Sequence, residues 1–201
     1  MAEDPTAGTV HQTAPVIYLA RHGETAFNAE RRFQGHLPVP LNDLGREQAH
    51  ALAALAAQDT FVRLFASPLA RARETAGIVA SRIGLEPSFD ARLVETDTGA
   101  WTGRLFADVQ AEDPEGFAAY ERADAGFRYP GGESFEEQRV RVAAALEEVA
   151  GAPGPALVVT HRGSIRLALA HARDEQGLRA SVVPNATLVP LNDGPPRPGS
   201  A

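Results

Sequence analysis

Two apolar runs in this chain stop in the same way. Val16-Ile17-Tyr18-Leu19-Ala20 runs straight into Arg21-His22-Gly23, and Ala156-Leu157-Val158-Val159-Thr160 runs into His161-Arg162-Gly163. A short unbroken apolar run is the pattern of a strand covered on both faces, as in a parallel sheet packed between helices. Ligands of open α/β sheets sit just beyond the carboxyl ends of such strands. A guanidinium, an imidazole and a residue small enough for close backbone approach suit an oxyanion there. A single Arg-His-Gly triplet recurs by chance. Two strand ends carrying His and Gly in one chain make coincidence a poor account.

The segments between them alternate helix and strand signals, which argues for an α/β fold. We expect three layers, with a mostly parallel central sheet flanked by helices. Glu24 to Pro40 reads as a loop with one or two helical turns. Asn42 or Asp43 caps a helix that places Leu44, Gln48, Leu52 and Leu55 on one face. Arg63 to Ala66 reads as a second strand. Ser67 is then a helix cap and Pro68 the first helical residue, with Gly84 stopping the helix after Ile83. An edge strand is expected near Ser88 to Arg92. Arg104 to Tyr129, with Phe106, Phe117, Tyr120, Phe127 and Tyr129, reads as a helical excursion over one end of the sheet. Glu133 or Ser134 opens an amphipathic helix to about Ala150, and another helix runs through Ile165 and Leu169. Ser181 to Leu191 supplies the last strand or hairpin. The expected organisation is one domain over 15–192, with flexible tails at 1–14 and 193–201.

Composition narrows the chemistry. The net charge of −7 does not suit sequence-independent nucleic-acid binding, which needs a basic face. All 19 basic residues are Arg, so any anion must be met by Arg or His. Without Lys there is no Walker-type phosphate loop and no Schiff-base chemistry. Without Cys there is no cysteine nucleophile, disulfide or thiolate metal site. No run approaches the ~18 apolar residues of a membrane helix. The polar N-terminus has no signal-peptide core, so the expected location is the cytoplasm.

Three strand ends therefore carry polar groups: Arg21 with His22, Ser67 followed by Arg71, and His161. Parallel strands bring these ends to one side of the sheet, where helix N-termini add partial positive charge. Two histidines and two arginines in one pocket suit a phosphoryl dianion. The plain alternatives are a turn histidine, an Arg71 paired with Glu74 or Glu47 on a helix surface, and a solvated Glu95.

At these residues the sequence resembles the histidine phosphatase superfamily, which includes the cofactor-dependent phosphoglycerate mutases. The matching residues are Leu19 to Thr25 with Asn28, Phe33-Gln34-Gly35, Pro40-Leu41 with Leu44-Gly45 and Gln48-Ala49, and Ser67 to Ala72 with Thr75. Further on are Leu93-x-Glu95 with Gly99, Trp101-x-Gly103, Pro130 to Ser134, and His161-x-Gly163 with Ile165-Arg166. They occur in family order over nearly the whole chain. The resemblance implies a phosphoglycerate mutase-like fold and a phosphomonoesterase that works through a phosphohistidine on a small phosphorylated metabolite. It implies His22 as nucleophile, with Arg21, Arg71 and His161 on the phosphoryl oxygens and Glu95 as general acid and then base. Asn28, Gln34, Gly35 and Gly163 would be further contacts to phosphate or substrate. Such a site needs no metal and no cofactor, no nucleic-acid or membrane partner is implied, and a homodimer is admitted.

One position departs from the pattern. The residue after the second histidine is usually Gly in the family and is Arg162 here. It either fits without crowding the phosphate or adds a cation at the pocket rim. Two rivals to the hydrolase stand open at this level: a phosphoglycerate mutase, and a phosphoryl-binding protein without turnover. The aromatics of the excursion read either as its core or as the wall of an apolar leaving-group pocket.

Overall fold

The computed structural model of the chain describes residues 16–172 and 183–191. Strand Ile17–Arg21 (β1) leads through the short helix Ala26–Ala29 (α1) to Asp43–Ala56 (α2). Arg63–Ala66 (β2), Ala70–Ile83 (α3) and Pro87–Phe89 (β3) follow. The excursion contains Phe106–Glu112 (α4) and Pro114–Arg122 (α5). Phe135–Ala150 (α6), Ala156–Thr160 (β4), Arg162–Ala172 (α7) and Leu188–Pro190 (β5) come last. The sheet order is β3-β2-β4-β1-β5, parallel throughout except for β5, which runs antiparallel to β1 at the edge.

The central strands explain the unbroken apolar runs. Alternate residues point to opposite faces, and both faces are covered. Ile17, Leu19 and Val158 pack against Val142, Leu146 and Val149 of α6 and Ile165 and Leu169 of α7. Tyr18, Ala20, Leu157 and Val159 pack against Leu52 and Ala56 of α2 and Ala72, Ala76 and Val79 of α3. A third cluster, of Phe33, Trp101, Val109, Phe117, Phe127, Tyr129 and Phe135, ties the excursion to the sheet end. The aromatics of that stretch are thus core.

Local signals set several boundaries. Asn42 caps α2 through a 2.7 Å bond that Gly45 N–H donates to its side chain. Ser134 caps α6, closing a reciprocal box with Glu137. Gly84 ends α3 at φ 72°, where a left-handed residue takes up a freed carbonyl.

Three local expectations need correction, and one helix gains its start. Ser67 is not the cap of α3: Leu69 holds that position and Pro68 lies outside the helix. The edge strand ends at Phe89, because the Asp90 side chain accepts from Arg92 N–H at 2.8 Å and starts a 3₁₀ turn at Ala91–Leu93. Leu44 is 48% exposed, and α2 buries Gly45, Ala49, Leu52, Ala53 and Ala56 instead. The helix after β4 begins at Arg162, immediately after His161. The 1–14 and 193–201 tails and the first residues of the expected Ser181 to Leu191 strand lie outside the described residues.

Candidate active site

The sheet register makes the two histidines neighbours. Arg21 is paired with Thr160 across β1 and β4, and His22 N–H donates to Thr160 O at 3.0 Å. The next residues, His22 and His161, then leave the sheet together, with ring centroids 5.1 Å apart. On the other side of β4, Ser67 N–H donates to Val159 O at 3.0 Å, which brings the end of β2 to the same level.

His22 is 2% exposed. Its Nδ1 lies 2.7 Å from Gly23 O, so Nδ1 carries the proton and Nε2 keeps the lone pair. Burial holds its pKa well below the usual histidine value, and the charges of Arg71 and Arg21 push the same way. The imidazole is therefore neutral near pH 7. His161 is wholly buried and is neutral for the same reasons, burial first and then Arg71.

Ser67, read locally as a cap, holds His161. Its Oγ accepts from Leu69 N–H at 3.3 Å and lies 2.8 Å from His161 Nε2. Where that hydroxyl donates to Nε2, the proton of His161 sits on Nδ1. Nδ1 is buried without a hydrogen-bond partner among the described residues. Such a group is ready for an acceptor oxygen.

Arg71 is 1% exposed and is fixed from behind. Its guanidinium donates to Gly35 O at 3.0 Å and Leu37 O at 3.1 Å, and its Nε lies 3.3 Å from His22 Nε2. It does not pair with Glu74 or Glu47; Glu74 bonds Arg46 at 2.8 Å. Gly35 has φ +48°, and a Cβ there would meet Thr98 Oγ1 at 2.6 Å. Its role is to present the carbonyl that anchors Arg71. Arg21 donates to Val183 O at 2.7 Å. Burial lowers both guanidiniums to about 10, which leaves them charged at neutral pH.

Glu95 is partly buried at the first turn of α7. Its Oε2 accepts from Gly163 N–H at 3.3 Å, and its Oε1 accepts from Thr96 N–H at 3.0 Å and Gln138 Nε2 at 3.2 Å. Gly163 is small because a Cβ would meet Glu95 Oε1 at 2.4 Å. Gly163 thus bonds the carboxylate in this state. Gln138 is fully buried, accepts from Thr96 Oγ1 and donates to Ser164 Oγ at 3.2 Å. Sequence reasoning did not single it out, since a Gln on an amphipathic helix reads as surface.

Gly23 departs from its expected role. A Cβ there would meet Gly45 O at 2.2 Å, so the glycine lets the β1 end pack on α2. Asn28 is the partner of the α1 cap: its Oδ1 accepts from Thr25 N–H at 3.2 Å. Gln34 Oε1 accepts from Thr25 Oγ1 at 2.9 Å. Both amides still line the cleft described next.

A cleft opens beside these groups. Arg21, Gly35, Glu95 and Gly163 line one side, and Phe106, Tyr120, Tyr129 and Phe135 form an aromatic wall. Those aromatics are therefore both the core of the excursion and a pocket wall. Arg162 and Arg166 also face the cleft. The arrangement supplies a neutral nucleophilic nitrogen, oriented N–H donors, two buried cations and a held carboxylate, which is the equipment of phosphoryl transfer.

Comparison with known proteins finds relatives over most of the chain. Residues 17–193 match the histidine phosphatase superfamily (branch 1). The chain is 38% identical to Phosphoglycerate mutase-like protein 4 of Arabidopsis thaliana, over 78% of this chain and 70% of that one. It is 37% identical to the glucosyl-3-phosphoglycerate phosphatase of Mycolicibacterium vanbaalenii, over 74% of this chain and 70% of the relative. Among solved structures, a protein described as mycobacterial hydrolase 1 superposes with a TM-score of 0.82 at 29% identity, covering 89% of this chain and 91% of its own. A mycobacterial glucosyl-3-phosphoglycerate phosphatase superposes with a TM-score of 0.79 at 30% identity, covering 89% and 90%.

Proposed function

The chain belongs to the histidine phosphatase superfamily, and on that premise we propose that His22 takes the phosphoryl group of a small phosphomonoester and passes it to water. The observation that carries this reading is the state of His22. It is a neutral ring whose Nδ1–H is held by Gly23 O, and its Nε2 lone pair faces Arg71.

The steps follow from the donors. A phosphate dianion entering between the two guanidiniums draws Arg71 Nε from the His22 lone pair to a phosphoryl oxygen. Arg21 and His161 Nδ1–H take further oxygens. His22 Nε2 forms the P–N bond as the P–O bond of the ester breaks in line with it. Protonated Glu95 gives its proton to the leaving oxygen, so the alcohol departs neutral. Glu95, now a carboxylate, takes a proton from water as that water attacks phosphorus and the P–N bond breaks. Phosphate leaves, His22 is neutral again and Glu95 is again protonated.

The relatives named as glucosyl-3-phosphoglycerate phosphatases bring phosphoglycerate derivatives forward as candidate substrates. The relatives named as probable phosphoglycerate mutases keep isomerisation as the second reading. Hydrolysis is favoured because, among the described residues of the excursion, the short helices α4 and α5 supply the cleft's cover, whereas a mutase must keep water from its phosphoenzyme while a bisphosphorylated intermediate turns over. The same reading places the enzyme in the cytoplasm, working without a metal. The test supplies 3-phosphoglycerate with and without a bisphosphorylated primer and follows both 2-phosphoglycerate and inorganic phosphate. Phosphate release across a panel of monoesters should exceed isomerisation. Primer-dependent isomerisation much faster than any phosphate release would overturn the hydrolase.

A further inference from the structure

We propose that Arg162 anchors a second anion subsite in the active-site cleft, so that the preferred substrates are phosphomonoesters whose leaving group carries a carboxylate or a second phosphate. The inference rests on the hydrolase reading above and deepens it to a substrate class.

Arg162 is the first residue of α7, directly after His161. It is half-buried, it lines the cleft, and it has no hydrogen bond or ion pair among the described residues. Arg31, Arg73, Arg82 and Arg122 likewise show no hydrogen bond or ion pair among the described residues, but they are exposed to solvent, whereas Arg162 is not. Arg63 bonds three carbonyls, and Arg141 bonds Glu133 and three carbonyls. Arg32, also on the cleft, is answered by Glu30 at 2.6 Å. Arg166, one helical turn on from Arg162, faces the same space.

The charge balance of the cleft points to an anion beyond the reacting phosphate. Its lining carries four guanidiniums and one carboxylate, Glu95, within a chain of net charge −7. The phosphoryl dianion is matched by Arg21 and by Arg71, which lies behind the lining. Arg162 then faces a partly desolvated cleft with no ion pair of its own among the described residues, which is costly unless a ligand supplies a counter-charge. Its charge already acts on its neighbours: after burial, it is the next cause depressing both Arg21 and Arg166. An anionic group on the substrate relieves that crowding. In the same lining, Phe106, Tyr120, Tyr129 and Phe135 offer a surface for the carbon skeleton between the two anions.

The test compares matched substrates that differ in the second anion. 3-Phosphoglycerate against glycerol 3-phosphate reads the carboxylate, and fructose 1,6-bisphosphate against fructose 6-phosphate reads the second phosphate. The wild-type enzyme should favour the more charged member of at least one pair by roughly 10- to 100-fold in kcat/KM, as one charge-assisted contact allows. Arg162→Ala should collapse that ratio, chiefly through KM. Arg162→Lys should keep part of it, because the charge remains and the planar fork is lost. A general disturbance of His161 would slow both members and leave their ratio alone, so the ratio isolates the subsite. A wild-type enzyme that hydrolyses both members of each pair equally well, or an Arg162→Ala enzyme that keeps the wild-type ratio, overturns the subsite while the hydrolase stands. No phosphate release from any substrate, with no phosphohistidine, overturns the hydrolase and the subsite together.

Discussion

Arg71 Nε lies 3.3 Å from His22 Nε2, the ring nitrogen opposite the Nδ1 that is held by Gly23 O. On the proposed mechanism, the cation that meets the phosphate is therefore parked on the atom that attacks it. Arg71 keeps this place because two carbonyls, of Gly35 and Leu37, hold its other nitrogens. His22→Ala should abolish turnover and the acid-labile phosphoenzyme. Arg71→Lys puts a single point charge where three guanidinium nitrogens reach separate partners, and should lower kcat by about 10²-fold or more, as the loss of an oriented donor does. Near-normal turnover in His22→Ala would remove it as nucleophile.

Glu95 is held by Gly163 N–H, Thr96 N–H and Gln138 Nε2. Glu95→Gln should slow alkyl phosphates by roughly 10²–10⁴. Aryl phosphates, whose leaving groups need little protonation, should lose less in the phosphorylation step. Gln138→Leu, which deletes one bond to the carboxylate, should show the same bias in a weaker form. Equal small losses for both substrate classes would take Glu95 out of the acid role.

Ser67 Oγ is 2.8 Å from His161 Nε2, and as a donor there it would fix the proton of that ring on Nδ1. Ser67→Ala should lower kcat by about 10-fold, the cost of a buried group left without its partner. Ser67→Thr should restore most of it. Nitrogen NMR should find the Nδ1–H form of His161 in the wild type and a mixture in Ser67→Ala. An unchanged tautomer would leave Ser67 as packing only.

Burial holds His22 and His161 well below the ordinary histidine value. The unfolded chain then binds more protons than the native one as pH falls below about 6.5. The stability these rings contribute is full above the unfolded value and is lost progressively toward the depressed native one. Each can steepen the loss by up to ~1.4 kcal/mol per pH unit. Urea unfolding between pH 7.5 and pH 5, both arbitrary test points spanning roughly that range, should show stability falling with acid. His161→Asn should flatten the fall. Equal slopes for the two proteins would contradict it.

No group of three or more His, Asp or Glu side chains among the described residues is placed to hold a metal ion. Arg21 and Arg71 supply the positive charge that a metal would bring. Activity should survive prolonged chelation. Loss on chelation with specific recovery on adding Mg²⁺, Mn²⁺ or Zn²⁺ would contradict this.

Much of the site was legible in the chain. Arg21, His22 and His161 were visible because two buried strands announce themselves by unbroken apolar runs, and parallel strands deliver their ends to one edge. Asn42, Ser134 and Gly84 were legible as helix ends because caps act between residues close in sequence. Ser67 was misread for the same reason: a Ser-Pro before a helix looks like a cap, and its true partner, His161, is far along the chain. Gln138 was invisible because nothing local says that its helix face meets Glu95. Gly23 was read as an oxyanion approach and proved to be room for Gly45.

The sequence by itself determined which side chains stand at each strand end and where the helices begin and stop. Those outcomes depend on periodicity, backbone freedom and hydrogen bonds within a few residues. Only the tertiary structure decided the chemical state of those side chains. The β1–β4 register set the two imidazoles side by side, and the carbonyl of Gly35, at φ +48°, turned Arg71 onto His22. Burial beside Arg21 and Arg71 then made both rings neutral. Desolvation and charge act through space, between groups the chain holds far apart, so they exist only once the sheet has closed around them.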